Sequence, residues 1–451
     1  FRIFAQIFKT YILMKVMKFG GTSVGTPQRI KEVAELIDNT DGDIIVLSAM
    51  SGTTNQLYEI CDYLSKGNTT GAHETLGRLA RKYEGVIEEL FGTDGEYHDA
   101  ASKAIDGCIA AIRRESSKGF DKNTEKRIVA NGELMSTQLM LNYLLSCGKD
   151  AAMLPSLDYM VIDSTDEPEL EEIARRLKTL IEKVGRHNIY ITQGFICRNA
   201  EGEVDNLKRG GSDYTASLVG AAVNASEIQI WTDIDGMHNN DPRFVENTSP
   251  VRTLHFEEAA ELAYFGAKIL HPTCILPAKL ANIPVKLLNT MEPEAEGTTI
   301  FNTRPDRQIK AVAAKDNITA IKIKSGRMLL AYGFLSRVFE IFERYRTSID
   351  MVVTSEVGVS VTIDNEQRLP EILDELRTLG TISVDRDMVI ICVVGDLQWQ
   401  NRGFEAEVVN ALKDIPVRMI SYGGSNYNIS LLVRKEDKTR ALSLLSEYLF
   451  N

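Results

Sequence analysis

Several common site signatures are missing from this chain of 451 residues. Its six cysteines lie far apart with no Cys-x-x-Cys pair, and its six histidines include no His-Glu-x-x-His. These absences exclude the usual zinc-site spacings, and scattered cysteines in a chain of this length indicate thiols in a reducing compartment. No apolar run approaches the length that a membrane span requires. We therefore expect a cytoplasmic protein with no metal centre and no transmembrane segment.

Positive charge is also in deficit, because 51 Lys and Arg stand against 63 Asp and Glu, a net charge of −12. This balance argues against nucleic acid or an anionic membrane as the main partner. It leaves open a local basic pocket for an anionic ligand. The hydrophobic content of 44% and the charged content of 25% are ordinary for a globular protein, and the length suits two or three domains.

The first thirteen residues differ from the rest of the chain. They combine Arg2 and Lys9 with apolar side chains and have no small-residue cleavage site. We interpret residues 1–13 as an extension left by cloning or by the assignment of the gene start, with Met14 as the natural start. A targeting segment is the alternative.

Apolar runs alternate with helical patterns from Met14 to about Ile300. The predicted strands are Ile44–Ser48, Ile189–Thr192, Ile228–Thr232 and Val285–Leu288. Small or polar residues follow each strand, as expected where a parallel sheet presents its loops at one edge. A helical excursion is predicted over Thr69–Lys118. The pattern predicts one α/β domain over 14–300, and a linker over 301–306 follows it.

The C-terminal third contains a repeat of about 70 residues in the order β-α-β-β-α-β, which is typical of ferredoxin-like units. The predicted elements of the first copy are a strand at Thr319–Ile323, a helix at Phe334–Tyr345, strands Ile349–Val353 and Val359–Ile363, a helix at Ile372–Leu379 and strand Ile382–Val384. Those of the second are strand Val389–Val394, helix Phe404–Leu412, strands Val417–Ser421 and Asn428–Val433 and helix Thr439–Leu449. We place the copies at 310–386 and 387–451, with the C-terminal segment as a candidate to complete the first.

A lysine and two glycines end the first predicted strand, in the sequence Lys-Phe-Gly-Gly-Thr-Ser-Val from Lys18 to Val24, and a helical pattern begins near Pro27. Glycine lets the backbone approach a ligand closely, and a helix N-terminus and a lysine both favour negative charge. The segment suits phosphate, although it lacks the Walker pattern. A plain turn is the alternative.

Four further segments of the first domain carry hydroxyl, carboxylate or basic side chains. They are Ser48–Asn55, Asn131–Thr137, Arg209–Ala216 and Trp231–Gly236, the last closing on Asp241-Pro242-Arg243. Each has a structural alternative: a solvated loop, a helix N-terminal acid at Glu133, helix capping by Ser212 and Asp213, and a simple turn at Asp235-Gly236. The structural alternatives for Lys268 and His271 are a surface lysine and a hydrogen-bonded structural histidine.

Taken together, these segments resemble one family. KFGGTSV, SAMSGTTN, NGELMST, RGGSDYTA, WTDIDG…DPR and FGAKILHP stand in the order and spacing of aspartate kinases, and the C-terminal repeat resembles their tandem ACT domains. The resemblance covers the chain from Met14 onward and is to the monofunctional, lysine-sensitive type. It implies an α/β amino-acid kinase fold, a mostly parallel sheet flanked by helices, followed by two ferredoxin-like ACT domains.

The implied reaction transfers the ATP γ-phosphoryl group to the β-carboxylate of L-aspartate, the first step of lysine, threonine and methionine biosynthesis. By resemblance, Lys18 neutralises the phosphoryl group, Asp213 orients Lys18, Arg209 binds the α-carboxylate and Glu133 binds the ammonium. The further substrate residues implied are Thr54, Gly210, Gly211 and Ser212. The nucleotide residues implied are Lys18, Gly20, Gly21, Thr232, Asp233, His238, Arg243, Lys268 and Ile269. ATP would bring Mg²⁺.

The resemblance also implies an effector site in the first ACT domain. Its residues would be Met328, Ala331, Gly333, Phe334, Leu335, Ser348, Ile349, Asp350, Thr354, Ser355 and Glu356. Amides at a helix N-terminus suit an effector carboxylate, and the two acids suit a cationic amine. We expect lysine inhibition through an ACT-mediated homodimer or homotetramer. The structural alternative makes Phe334 and Leu335 core residues and leaves Asp350 and Glu356 solvated.

Three positions depart from the family pattern. Lys208 stands where glycine is usual, His238 where tyrosine is common, and Ala331 where some lysine-sensitive relatives have serine. They leave open the behaviour of the substrate loop, one nucleotide contact and the identity of the effector. The alternatives are another amino-acid kinase, acting on glutamate or acetylglutamate, and a catalytically silent amino-acid sensor. No G-x-G-x-x-G is present, so we expect no fused homoserine dehydrogenase.

Overall fold

A computed structural model gives the fold of the protein. It describes residues 14–37, 42–207, 210–266, 272–304, 306, 308–326 and 332–450, so the predicted extension over 1–13 lies outside the described residues. The strands are β1 Lys15–Phe19, β2 Asp43–Leu47, β3 Ala151–Met153, β4 Ile189–Gln193, β5 Ile196–Arg198, β6 Val204–Asn206, β7 Glu227–Thr232, β8 Thr253–His255, β9 Val285–Asn289, β10 Thr298–Phe301, β11 Ile309–Lys324, β12 Val352–Ser355, β13 Gly358–Ile363, β14 Thr381–Gly395, β15 Met419–Ser421 and β16 Asn428–Arg434. The α-helices are α1 Pro27–Leu36, α2 Thr53–Ser65, α3 Thr69–Phe91, α4 Glu96–Ser116, α5 Lys122–Val129, α6 Asn131–Ser146, α7 Ser156–Tyr159, α8 Leu170–Val184, α9 Gly211–Val223, α10 Phe256–Tyr264, α11 Pro272–Leu280, α12 Phe334–Arg344, α13 Leu369–Arg377, α14 Phe404–Ala411 and α15 Lys438–Phe450.

The chain forms two compact units. Described residues up to Gly236, together with those from Pro272 to Asn302, form the first unit; those from Met237 to Gly266 and from Thr303 onward form the second. Each unit is organised around a sheet.

A mostly parallel sheet organises the first unit. Seven of its strands lie in the order β3-β4-β2-β1-β7-β9-β10, and neighbours are parallel except for the pair β9 and β10. The strands predicted from apolar runs are confirmed as β2, β4, β7 and β9, and the helical excursion as α3 and α4. The predicted linker starts too early, because β10 continues through Phe301.

Apolar residues of helices and strands form the core of this unit. β2 is buried along its whole length, as a strand covered on both faces must be. Buried residues of α3 and α4, including Leu79, Tyr83 and Ile112, join the same cluster as Phe19 of β1. The core therefore fixes the loops that leave β1 and β2.

One antiparallel sheet organises the second unit, in the order β12-β13-β11-β14-β16-β15. The predicted strands Ile382–Val384 and Val389–Val394 are one continuous strand, β14, that pairs along β11. The predicted strand at Ile349 begins only at Val352, in β12. β11 and β14 each run through both copies of the repeat. Sequence periodicity does not reveal this sharing.

The two copies have separate cores. The first contains Ile321, Val338 and Leu376, all from residues before 385. The second contains Val312, Val408 and Leu445, because residues 309–315 of β11 pair with the second half of β14. The alternative in which the C-terminal segment completes the first copy is therefore wrong: an early segment completes the second.

The segment from Met237 to Gly266 groups with the second unit, although the sequence places it within 14–300. Its Asn240 Nδ2 donates to Leu442 O at 3.0 Å, and Val245 joins the core of the second copy. Lys438 Nζ lies 3.9 Å from the centre of the Phe244 ring. Because of these apolar and polar contacts, the segment belongs to the second unit, although it follows β7 closely in the sequence.

Candidate functional site

An ion pair joins the glycine loop to the Arg209–Ala216 segment. Lys18 lies on β1 between β2 and β7, and its Nζ lies 2.7 Å from Asp213 Oδ1. The side chains are only 11% and 14% exposed, so water screens the pair weakly. Asp213 lies in the first turn of α9, which starts after Gly210 at φ +72°. The structure thus brings together the two residues predicted to be catalytic.

The glycines leave space beside the Lys18 ammonium. Gly20 N donates to Trp231 O at 3.3 Å, and an added Cβ at Gly20 would meet Lys18 Nζ at 3.5 Å. An added Cβ at Gly21 would lie 2.8 Å from Ala49 O. Gly21 is therefore required by close backbone packing, whereas Gly20 keeps the surroundings of the ammonium open.

The loop after β2 connects the glycine loop to Glu133. Ser51 N donates to Gly21 O at 3.1 Å, and Ala49 N donates to Glu133 Oε1 at 3.2 Å. Ser136 Oγ donates to Ser48 O at 2.8 Å. A solvated loop is the structural alternative for this segment from the sequence. In the structure, hydrogen bonds hold the loop between the glycine loop and Glu133.

Glu133 is a buried carboxyl with spare hydrogen-bonding capacity. It lies in the first turn of α6, is 4% exposed, and its Oε2 has no partner. Burial raises the pKa of Glu133 to about 7, and the bond from Ala49 N opposes that rise. A buried acceptor without a partner is costly, so the arrangement suits a cationic ligand group.

The other predicted substrate residues are only partly described. Thr54 is half-buried in the first turn of α2, and Ser212 is half-buried in the first turn of α9. Gly210 and Gly211 form the start of α9. Lys208 and Arg209 lie outside the described residues.

Phe195 lies against the start of α9 and belongs to none of the sequence motifs. It has φ +69°, uncommon for a side chain of this size. Its N donates to Thr215 Oγ1 at 3.0 Å, and an added Cβ at Gly211 would lie 2.5 Å from Phe195 Cδ2. The Gly-Phe pair one residue after the predicted strand Ile189–Thr192 was the available signal.

The predicted nucleotide residues divide between the two units. In the first unit, Thr232 Oγ1 donates to Asp233 Oδ1 at 3.2 Å. In the second, His238 Nδ1 lies 2.8 Å from Thr248 Oγ1. Arg243 binds both Asp241 oxygens, at 2.9 Å from Nε and 2.6 Å from Nη2. Lys268, Ile269 and His271 lie outside the described residues.

The predicted effector residues differ widely in exposure. Phe334 belongs to the core of the first copy, whereas Leu335 and Glu356 are exposed. Gly333, at φ +77°, precedes α12. Ile349 packs against the same core; Ser348, Thr354 and Ser355 are exposed. Met328 and Ala331 lie outside the described residues.

Asp350 is not solvated. Its side chain is 1% exposed, and Oδ1 lies 2.7 Å from Lys315 Nζ. Tyr264 Oη donates to the same oxygen at 2.7 Å. Lys315 Nζ also lies 3.0 Å from Asp364 Oδ2. Asp350 Oδ2 is buried without a partner. Oδ1 is therefore already bonded within the chain, whereas Oδ2 can still accept a hydrogen bond.

Across the part of the chain that the structure describes, no group of three His, Cys, Asp or Glu is placed to hold a metal ion. Among the same residues, no helix combines the length and apolar character needed to cross a bilayer. The six cysteines carry thiols.

Family models match both parts of the chain. The amino acid kinase family matches residues 14–289, and an ACT domain matches residues 391–449. Aspartokinase 1 (chloroplastic) of Arabidopsis thaliana is 33% identical over 96% of this chain and 80% of its own length. Lysine-sensitive aspartokinase 3 of Escherichia coli K12 is 31% identical over 96% of this chain and 99% of its own length.

Solved structures agree with these relatives. E. coli aspartokinase III in complex with aspartate and ADP (R-state) superposes with a TM-score of 0.85 at 31% identity, covering 97% of this chain and 100% of the other. The same enzyme with lysine and aspartate (T-state) gives a TM-score of 0.79 at 32% identity, with the same coverage. By sequence and by fold, the chain belongs to the aspartokinase family.

Proposed function

We propose that the aspartate kinase reaction takes place at Lys18, Asp213 and Glu133, with ATP as the phosphoryl donor. The observation that carries this proposal is the 2.7 Å ion pair between Lys18 and Asp213, joined through the loop after β2 to a buried carboxyl with a free oxygen. The E. coli relative binds aspartate and ADP.

The chemistry requires positive charge more than a base. The β-carboxylate of aspartate is ionised at pH 7, so it is already a nucleophile. The barrier is repulsion between two anions, which positioning and a cation reduce. Near a protein surface, two unit charges 4 Å apart interact by about 4 kcal/mol. Lys18 supplies such a charge, Asp213 fixes its direction, and Glu133 binds the substrate ammonium.

The remaining substrate contacts follow the family pattern. Arg209 binds the α-carboxylate, for which a guanidinium is suited, with Thr54, Gly210, Gly211 and Ser212 beside it. Thr232, Asp233, His238, Arg243, Lys268 and Ile269 hold the nucleotide. Mg²⁺ would enter bound to the ATP phosphates, a common arrangement for this ion.

Lysine is the proposed inhibitor, acting at the first ACT copy in a homodimer or homotetramer. The unpartnered Asp350 Oδ2 supports this proposal, as does the lysine complex of the E. coli relative. We place the enzyme in the cytoplasm, because widely spaced thiols suit a reducing compartment.

A coupled ATP assay with aspartate, glutamate or acetylglutamate as acceptor tests the reaction. We expect turnover with aspartate only; turnover with another acceptor, or none, would contradict the assignment. Titration with lysine, threonine and methionine separately, with the molecular mass measured at each end, tests the regulation. No response to lysine would rule out the proposed effector.

A further inference from the structure

We infer that Lys82 is a positioning residue for the phosphoryl transfer, holding the loop after β2 by its charge. Lys82 lies on α3 and belongs to none of the motifs that identify the family. The inference rests on the proposed roles of Lys18 and Glu133, since it concerns the loop that joins their surroundings.

The Lys82 ammonium binds the loop at two points. Nζ donates to Ser51 O at 2.8 Å and to Thr53 Oγ1 at 3.1 Å. Among the described residues it forms no ion pair with a carboxylate. Burial lowers the pKa of this ammonium. The cost of partly burying this charge is therefore offset by two neutral oxygens of one turn and by the Tyr83 ring, whose centre lies 5.9 Å from Nζ.

The turn itself contains one backbone hydrogen bond, from Thr53 N to Met50 O at 3.0 Å. Gly52, at φ +76°, precedes α2, and no side chain caps that helix. An added Cβ at Gly52 would meet nothing within 4 Å, so the turn is open on its outer side. Tyr83 Oη, also on α3, lies 3.2 Å from Thr53 Oγ1. The ammonium thus anchors the residue before Gly52 and the first residue of α2 to α3.

The turn transmits its position to both halves of the site. Ser51, whose carbonyl accepts from Lys82, donates its N–H to Gly21 O at 3.1 Å. Two residues earlier, Ala49 N donates to Glu133 Oε1. A shift of the turn would therefore displace the glycine loop relative to the carboxyl that binds the substrate ammonium, and small displacements in a reacting geometry are costly.

The test compares Lys82→Met and Lys82→Arg with the control Lys66→Met. Lys66 is an exposed lysine just after α2 that pairs with Asp62. We expect Lys82→Met to lower kcat/KM for aspartate about tenfold or more, with the loss mainly in kcat. Lys82→Arg should recover most of it, because a guanidinium can donate to both oxygens. The control should stay within about twofold.

If Lys82 only stabilised the fold, Lys82→Met would lower Tm without a loss concentrated in kcat, and Lys82→Arg would not restore kcat. Kinetic constants of Lys82→Met within twofold of the wild type, or equal losses in the Met and Arg variants, would overturn the inference. If Lys82→Met does not fold, Thr53→Val removes one acceptor and should reduce kcat in the same direction; an unchanged kcat would count against the inference. Glu133→Gln is measured alongside: normal activity there refutes the proposed site, whereas impairment there with a normal Lys82→Met refutes only this inference.

Discussion

Lys315 Nζ lies 2.7 Å from Asp350 Oδ1, so a lysine of the chain itself occupies one oxygen of the acid predicted to bind the effector amine. The pair is largely buried, at 18% and 1% exposure of the two side chains. An incoming ammonium must therefore share this carboxylate with a positive charge already present.

Replacing Lys315 should make the enzyme more sensitive to lysine. Lys315→Met removes a competing positive charge, and a gain of about 1.4 kcal/mol corresponds to a tenfold lower lysine concentration for half-inhibition. Asp364→Asn, which changes only the more exposed partner, is the control and should have little effect. Inhibition curves that coincide for wild type and Lys315→Met would show that the effector amine does not approach Asp350.

Replacing Lys18 should reduce turnover far more than ATP binding. A charge interaction of about 4 kcal/mol corresponds to roughly a thousandfold in kcat, whereas the glycine loop and the other nucleotide contacts remain in Lys18→Ala. Turnover is measured in the coupled assay and ATP affinity by direct titration. Asp213→Asn should produce a smaller loss, because it leaves the ammonium in place. Near-normal turnover in Lys18→Ala would rule out the role assigned to it.

Glu133 should make aspartate binding depend on pH. The substrate ammonium needs the ionised carboxylate, and the pKa of Glu133 in the folded protein is raised to about 7. KM for aspartate should therefore fall as the pH rises from 6 to about 7 and level off above that. A KM for aspartate that is constant from pH 6 to 8 would contradict this. Glu133→Gln should bind aspartate weakly at every pH.

The same carboxyl should affect stability in the absence of substrate. Between its ordinary value of 4.5 and about 7, the folded protein keeps a proton that the unfolded chain has released. The free energy of unfolding should fall as the pH rises through this window, by on the order of 3 kcal/mol. Urea titrations of the wild type and Glu133→Gln at pH 5 and 8 measure the difference. An equal pH dependence in both proteins would exclude Glu133 as its source.

Replacing the two glycines of the loop should affect two different properties, stability for Gly21 and ATP binding for Gly20. Gly21→Ala places a methyl group 2.8 Å from Ala49 O, a backbone atom, so we expect a loss of about 1–3 kcal/mol in stability. Gly20→Ala meets only ordinary contacts, including Lys18 Nζ at 3.5 Å. It should fold normally but bind ATP more weakly, as thermal unfolding and nucleotide titration would show. Equal Tm values for both variants would contradict the packing argument.

Much of the fold follows from local pattern. Runs such as Ile189–Thr192 are strands in the structure because buried parallel strands require continuous apolar sequence. The errors occur where pairing between distant segments decides the boundary. β14 is continuous because β11 pairs with it across both copies, and the strand expected at Ile349 begins at Val352, where pairing with β13 begins at Val361.

The sequence by itself determined the family, the order of the motifs and the residue types of the site. The reason is that these depend only on which residues are present and on their spacing along the chain. The tertiary structure decided which of these groups meet. Asp213 reaches Lys18 only through the packing of α9 beside β1, and Asp350 is buried because Lys315 and Tyr264 approach it from other elements. Charge state and exposure depend on neighbours in space, and a linear pattern does not specify them.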